Sequence, residues 1–252
     1  MPLRNHRQRT LVITLVAVLG AAAAVFFRSR RRRSVSGHER ADVGFMLAMH
    51  HALRRDMADL EAPIDVVEDG KGREEMIERW GELRQRLERH HTAEDDDLWP
   101  VLRRNLTDPM DEREVDDMVE EHRRLADLIV AADRAVASPD VAPRPMFVDL
   151  GSALRDHLEH EERTVLPLLE QHLSRAEWHR FLVTERSRTP LRERPTFLAW
   201  VLDGAEDADR EAVLGELPPP GRAVYRRVIG PRYRARHARP RNMERPRNVA
   251  VS

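Results

Sequence analysis

The chain has 252 residues, a formal net charge of −1 and no cysteine. The absence of cysteine excludes disulfides, thiolate metal sites, iron–sulfur clusters and cysteine nucleophiles. Charged residues make up 35% of the sequence and aromatic residues only 5%, which argues against an all-β fold and favours a highly charged helical protein of one or two domains.

Residues 10–27 form an uninterrupted uncharged and mainly apolar stretch. As a helix it would be about 27 Å long, at about 1.5 Å per residue, close to the roughly 30 Å of bilayer hydrocarbon. Arginines flank both ends, and the denser positive charge follows the stretch. We therefore predict a single-pass membrane anchor within residues 1–33, a linker at 34–40 and a cytoplasmic domain behind them.

Two other interpretations of this N-terminal region remain open. One is a cleaved signal peptide, which the arginine block directly behind the apolar stretch disfavours. The other is an extension from an upstream start that the working protein lacks, which would leave a soluble cytoplasmic protein.

From residue 41 onward the apolar residues recur with helical period, and loops rich in proline, glycine and polar residues separate four long segments. The predicted helices span about residues 41–60, 74–102, 112–136 and 146–172. Pro100 is expected to kink the second helix or to begin a new turn. Four amphipathic helices with short connections are typical of an up-down four-helix bundle, to which we assign residues 41–173.

The region behind the bundle contains shorter helical patterns and many arginines. We assign residues 174–237 to a small, basic, helical extension and residues 238–252 to a disordered tail. Its apolar residues could cap the bundle or the entrance of a metal pocket. Its arginines could contact anionic lipid headgroups, with a solvated basic tail as the plainer alternative. Nucleic acid is not an expected partner, because no recognition motif accompanies the charge.

Each predicted bundle helix carries a histidine on its inward stripe, and two of these helices add a glutamate four residues later. A spacing of four puts an imidazole and a carboxylate on one helix face, one turn apart. The candidate metal ligands are His50, His90, Glu94, His122, His157 and Glu161.

Imidazoles and carboxylates that converge inside a bundle favour a metal site. A lone histidine on an apolar face is more often a core or surface residue, but the same phase on four helices with a repeated carboxylate offset favours ligands. Buried carboxylates are costly unless they pair or bind metal. Nitrogen and oxygen donors without sulfur suit iron, manganese or zinc. Six donors exceed what one tetrahedral zinc uses, so the sequence indicates a dinuclear centre.

Several polar residues lie next to the ligand candidates in sequence. Three histidines are expected on the flanks of the ligand stripes, outside the predicted metal set: His51, His91 and His160. Four acidic residues are expected to form a solvated face of their helices, with outer contacts to the ligands as the lesser alternative: Asp95, Asp96, Asp97 and Glu162.

The ligand series, together with Leu98-Trp99-Pro100 and Val165-Leu166-Pro167 behind the glutamates, resembles the hemerythrin-like (HHE cation-binding) domain over about residues 41–172. The resemblance implies a carboxylate-bridged non-haem di-iron centre that binds oxygen or nitric oxide, or senses iron or oxygen. It implies two iron ions as the cofactor, with zinc or manganese less favoured. The four histidines of the series would be terminal ligands, and the two glutamates would be bridges.

One departure from the family pattern concerns the third helix. Oxygen-carrying hemerythrins place two histidines one turn apart there, whereas the residues four positions before and after His122 are Met118 and Ala126. His51 or His160 could supply a fifth nitrogen. With fewer imidazoles, more room is left for solvent, nitric oxide or turnover.

Our first expectation is therefore a module that binds or senses oxygen or nitric oxide. The alternatives are a di-iron enzyme that turns over peroxide or nitric oxide, an iron or zinc storage or structural bundle, and a metal-free helical scaffold. Gly-rich phosphate loops and Gly-x-Ser-x-Gly are absent from the sequence. Whether the protein is an enzyme and which oligomer it forms are questions that the sequence leaves open.

Overall fold

A computed structural model describes residues 40–62 and 70–237 of the chain. Within these ranges the chain is helical, apart from one isolated β-bridge between Arg40 and Ser174, so the predicted all-α class is confirmed there. The predicted membrane anchor and the predicted disordered tail lie outside the described residues. None of the described helices is long and apolar enough to cross a bilayer.

Four helical stretches form the bundle. They are α1 (Gly44–Glu61), α2 with a π-helical segment and α3 (Gly70–Ala93, Glu94–Leu98 and Trp99–Asn105), α4 (Pro109–Ala137) and α5 (Arg144–His172). Each stretch packs against the one before it and the one after it, and α5 closes the ring against α1. Such an arrangement with short connections is the architecture that the sequence predicts.

Helices α3, α4 and α5 have a proline in their first turn, and α4 also has a capping residue. Asp108 caps α4 by accepting a hydrogen bond from the backbone N–H of Met110, and Pro109 occupies the first turn, where no backbone donor is needed. Pro100 likewise lies in the first turn of α3. The expectation that Pro100 begins a new turn is confirmed, and the change of helix type falls just before it.

Glu94–Leu98 is wound as a π-helix, in which the backbone N–H of Trp99 donates to the carbonyl of Glu94, five residues earlier. A π segment accommodates one extra residue in an α-helix and turns the following residues by about 100°. This segment contains one of the predicted metal ligands, and π segments are frequent at functional sites.

The region behind the bundle folds as a series of short helices. They are α6 (Arg175–Arg188), α7 (Arg194–Leu202), α8 (Asp207–Gly215), α9 (Pro219–Val224), a second π segment (Tyr225–Ile229) and α10 (Gly230–Arg236). A complete capping box starts α6, in which Ser174 and Glu177 each bond the backbone N–H of the other.

Helices α7 and α8 pack against α1, and Trp200 is fully buried in the same apolar cluster as the bundle. Gly204, in the turn between them, has a φ of +76°, which glycine adopts without a steric penalty. A Cβ at this position would lie 3.0 Å from Nε2 of His51 on α1. The extension therefore caps the bundle through close backbone approach as well as apolar burial.

A layer of buried polar residues divides the core of the bundle into two apolar clusters. On α1, Met46 belongs to one cluster and Leu53 to the other, with His50 between them. On α4, Met118 and Leu125 flank the polar layer in the same way. All four bundle stretches contribute to both clusters, so tight apolar packing on either side holds the polar layer in place.

Candidate metal centre

The six predicted ligands meet in this polar layer. Their relative exposures do not exceed 5%, and Glu94, Glu161 and His50 are fully buried. Together with His91, these side chains form two groups. Within each group, the atoms that could bind metal all lie within 4.8 Å of one another. The first group consists of His50, His90, Glu94 and Glu161, and the second consists of His91, His122 and His157.

The two glutamates lie between imidazoles of different helices. Glu94 Oε1 is 3.3 Å from Nε2 of His90, and Glu94 Oε2 is 3.4 Å from Nε2 of His122. Glu161 Oε2 is 3.2 Å from Nε2 of His50. One carboxylate therefore spans the two groups, which is the position that a bridging ligand needs.

His91 is not on the flank of its helix, so that expectation is wrong. Its side chain is buried, and its ring stacks on the ring of His122 with 4.1 Å between centroids. It also lies edge-on to His157 at 5.3 Å. Successive helix residues are about 100° apart, and the polar layer is wide enough to take both His90 and His91 from α2. The fifth imidazole thus comes from the second bundle helix rather than the third.

Two of the acidic residues expected on a solvated face instead contact histidines of the predicted ligand set. Asp95 Oδ1 is 2.8 Å from Nδ1 of His122, and Glu162 Oε1 is 2.9 Å from Nδ1 of His50. Both acids directly follow a predicted ligand glutamate. In each glutamate–acid doublet the acid therefore bonds Nδ1 of a histidine on another helix, while the glutamate faces Nε2 of the same ring at 3.2–3.4 Å. The repeated doublet is the sequence signal that could have revealed these contacts.

The other two acidic residues expected on the solvated face, Asp96 and Asp97, do not contact the predicted ligand histidines. Asp96 is exposed, as predicted. Asp97 forms an ion pair of 2.6 Å with Arg188 of α6, which ties the extension to the π segment.

His157 is held by a chain of polar residues that reaches the surface. Its Nδ1 is 2.8 Å from Glu121, whose other oxygen is 2.8 Å from Nδ1 of His160. Nε2 of His160 is 3.2 Å from Glu114. His160 therefore lies on the flank, as predicted, and contacts the site only through Glu121. His51 is also on the flank, against the extension.

The charges of the metal-free site are unevenly distributed. Burial opposes a charge on His50, but the carboxylates of Glu161 and Glu162 outweigh it and raise the pKa of His50 to about 9. Burial likewise opposes a charge on Glu162, yet hydrogen bonds from His50 and Arg54 lower its pKa to about 2. Glu161 also keeps a lowered pKa despite its burial, because His50 lies beside it.

Three other residues of the layer favour their neutral forms. Burial, reinforced by the nearby Glu161, raises the pKa of Glu94 well above its usual range. Burial, together with the neighbouring imidazoles, lowers the pKa of His90 and that of His91 well below the usual range. Neutral imidazoles have a free lone pair near pH 7, so they can bind a metal ion without first losing a proton.

The nitrogen and oxygen atoms that could bind a metal ion lack hydrogen-bond partners. Among the described residues, this holds for Nε2 of all five histidines and for both carboxylate oxygens of Glu94 and Glu161. Buried polar atoms are normally hydrogen-bonded, so a cluster of nine such atoms requires an explanation. Nitrogen and oxygen donors that converge around two neighbouring points fit two first-row metal ions.

Fold and site together define a class of protein, the helical bundles with a cation-binding centre of histidine and glutamate. The family model for the hemerythrin HHE cation binding domain matches residues 41–169, just over half of the chain. The chain therefore belongs to the hemerythrin HHE cation-binding family, which confirms the resemblance seen in the sequence. No curated protein and no solved structure gives a significant match.

Proposed function

We propose that the protein holds two iron ions in this layer and binds oxygen or nitric oxide there. The proposed ligands are the six residues found from the sequence, together with His91. The observation that carries the proposal is the set of nine buried donor atoms without hydrogen-bond partners. Their division into two groups, each drawn from more than one helix, supports two cation positions rather than one.

The position of His91 favours reversible binding of oxygen or nitric oxide over a catalytic reaction. With His91 the layer contains five imidazoles and two carboxylates, so the shortage of nitrogen donors inferred from the third helix does not apply. More protein donors leave fewer positions to solvent, which favours reversible binding of a small ligand. Iron, when bound, supplies the electrons and the open position that oxygen or nitric oxide requires.

The surrounding residues keep the site dry and rigid. Trp99 and Met118 are buried on one side of the layer, and Leu53 and Leu87 on the other. Exclusion of water protects a bound diatomic ligand from protons and strengthens its polar contacts. The outer carboxylates fix the orientation of three imidazoles, as is usual for histidine ligands of metals.

The test is metal analysis and spectroscopy of protein purified from its own host. We expect about two iron ions per chain, and a stable absorption change when oxygen or nitric oxide is added to the reduced protein. Sustained consumption of peroxide or nitric oxide would favour the enzyme instead. About one zinc ion and no iron would favour a structural bundle and overturn the proposal.

A matched pair of variants tests the assignment of ligands on α5. His157→Ala removes a buried donor, whereas His160→Ala removes a partly exposed ring that reaches the site only through Glu121. We expect the first variant to lower iron content strongly and the second to lower it little. Equal losses would contradict the ligand assignment.

We also propose that residues 10–27 anchor the protein to a membrane, with the bundle on the cytoplasmic side. The support is the length of this apolar stretch and the arginines that flank it. Carbonate extraction of membranes that contain the full chain should leave the protein in the pellet. Replacement of Leu15 and Val18 by arginine should release it, and release of the unmodified chain would contradict the anchor.

A further inference from the structure

We infer that the two cation positions are unequal and fill in a fixed order. The group of His50, His90, Glu94 and Glu161 takes the first ion, and the group of His91, His122 and His157 takes the second. This inference rests on the proposed function, since it assumes that both positions bind metal. It concerns the order of binding, which the proposed function leaves open.

The two groups differ in their chemistry. The first group offers four donors, two of which are carboxylates, whereas the second offers three imidazoles. Ligand glutamates bind a metal ion in the ionised form, and two ionised glutamates attract a divalent cation by charge as well as by coordination in a buried site. The second group acquires a carboxylate only by sharing Glu94, whose Oε2 lies 3.4 Å from His122.

The two groups also differ in the rigidity of the residues that orient their histidines. Glu162, which holds His50, is itself fixed by two hydrogen bonds from Arg54, of 2.6 and 3.1 Å. Asp95, which holds His122, has a side chain that is 36% exposed and makes no hydrogen bond to any described arginine. In the second group His157 is likewise held by Glu121, at 2.8 Å, but His122 depends on the more exposed Asp95, so one of its imidazoles is less firmly oriented than His50.

His91 makes the second group harder to rearrange around an ion. Its Nε2 is buried without a hydrogen-bond partner among the described residues, and the ring is positioned by stacking on His122. Stacked rings that both become ligands must adjust together when an ion enters. The second position therefore costs more rearrangement than the first.

The experiment is a titration of the metal-free full chain with Co²⁺ in competition with a chelator. Co²⁺ is a suitable probe because it binds nitrogen and oxygen donors and needs no control of oxidation state. We expect two equivalents to bind in two resolved phases, with affinities at least tenfold apart.

Two variants outside the donor set assign the phases to positions. Arg54→Gln should weaken the first phase, and Asp95→Asn should weaken the second about tenfold, as expected when the outer partner of a ligand histidine is lost. Asp96→Asn removes the same charge one residue further on, where the side chain is exposed, and should change neither phase. His91→Ala should abolish the second phase and leave the first within about threefold.

The outcomes separate the inference from the proposal on which it rests. Two equivalents that bind with one affinity, or variants that weaken both phases equally, would overturn the order of filling and leave the two-metal centre intact. A full chain that binds no cation, or only one, would contradict the proposed function itself. Circular dichroism of each variant establishes that the helices are intact before the titration.

Discussion

The candidate metal centre buries its polar groups completely and the junction between the bundle and its C-terminal extension buries them in part, but only the junction provides hydrogen-bond partners for them. At the junction, Asp56 accepts hydrogen bonds from Nε1 of Trp200 at 2.6 Å, from Arg86 at 3.1 Å and from Arg55. At the centre, nine donor atoms have no such partner. Satisfied buried groups stabilise a fold, whereas a cluster of unsatisfied ones indicates a ligand.

The junction is also reinforced by contacts beyond Asp56. Arg55 donates to the backbone carbonyls of Trp200 and Asp203, and the guanidinium of Arg86 lies 4.5 Å above the ring of Trp200. Cation–π contacts of this kind add about 0.5–2 kcal/mol. The extension is thus fixed by pairing, and it lies beyond the segment that defines the family.

The largest effect should come from a change that breaks the centre. Glu94→Gln removes the carboxylate between the two groups, so metal should stabilise the protein far less. At a free metal concentration about 1,000 times the dissociation constant, this loss amounts to about 4 kcal/mol. Thermal unfolding with and without metal measures it. In metal-free protein the same variant should be as stable as the wild type or more so, and a large loss there would mean that Glu94 is structural.

The junction should show the reverse pattern. Asp56→Ala removes the acceptor of Trp200 Nε1 and one of the acceptors of Arg55 and of Arg86, and we expect a loss on the order of 2 kcal/mol with or without metal. Urea denaturation measures the free energy of unfolding. Asp127→Ala on the exposed face of α4 is the control. If Asp56→Ala cost no more than the control, the extension would not be held as the structure describes.

A smaller effect should follow from pH in metal-free protein. The folded-state pKa of Glu162 is lowered from 4.5 to about 2. The unfolded chain therefore binds its proton first, and the stabilisation is complete above pH 4.5 and is lost as pH falls towards 2. Glu162→Gln should cost about 1.5 kcal/mol at pH 6 and progressively less at lower pH.

Urea denaturation of both proteins between pH 6 and pH 3 checks this expectation. Glu170→Gln, on the exposed face of the same helix, is the matched control. A difference between Glu162→Gln and the wild type that did not change with pH would show that the carboxylate acts by packing and not by charge.

The smallest effect has the opposite sign. Glu185 on α6 is 5% exposed, and its Oε2 has no hydrogen-bond partner among the described residues. Burial raises the pKa of Glu185, so the folded state binds the proton more tightly and wild-type stability falls as pH rises through that pKa. Glu185→Gln should therefore stabilise the protein by about 0.5–1 kcal/mol at pH 8 and have little effect at pH 4. Thermal unfolding of both proteins at pH 8 and at pH 4 tests this prediction. A lower stability of Glu185→Gln than of the wild type at pH 8 would contradict it.

The fold was largely predictable because the helical period and the loop residues act locally. The helix predicted from about residue 112 begins at Pro109, behind the cap Asp108, so this end was predicted to within a few residues. The six ligand candidates were predictable for the same reason, since a spacing of four puts His90 and Glu94 on one face. Their proximity in the structure follows from four stripes facing one core.

Contacts that depend on tertiary geometry were not predictable in the same way. His91 was missed because it lies about 100° from His90, and only the width of the polar layer decides whether both can turn inward. Asp95 and Glu162 were missed because their partners, His122 and His50, belong to other helices. The π segment has no local signal that distinguishes it from an α-helix.

The π segment also gives the protein an optical property of its own. The second His-x-x-x-Glu copy continues as an ordinary α-helix through Pro167, so the residues behind the two glutamates point in different directions. In the first copy the indole of Trp99 is turned towards the centre, with its ring 6.5 Å from that of His122. Paramagnetic ions in the centre should quench the fluorescence of this tryptophan, so light emission can report occupancy without any added dye.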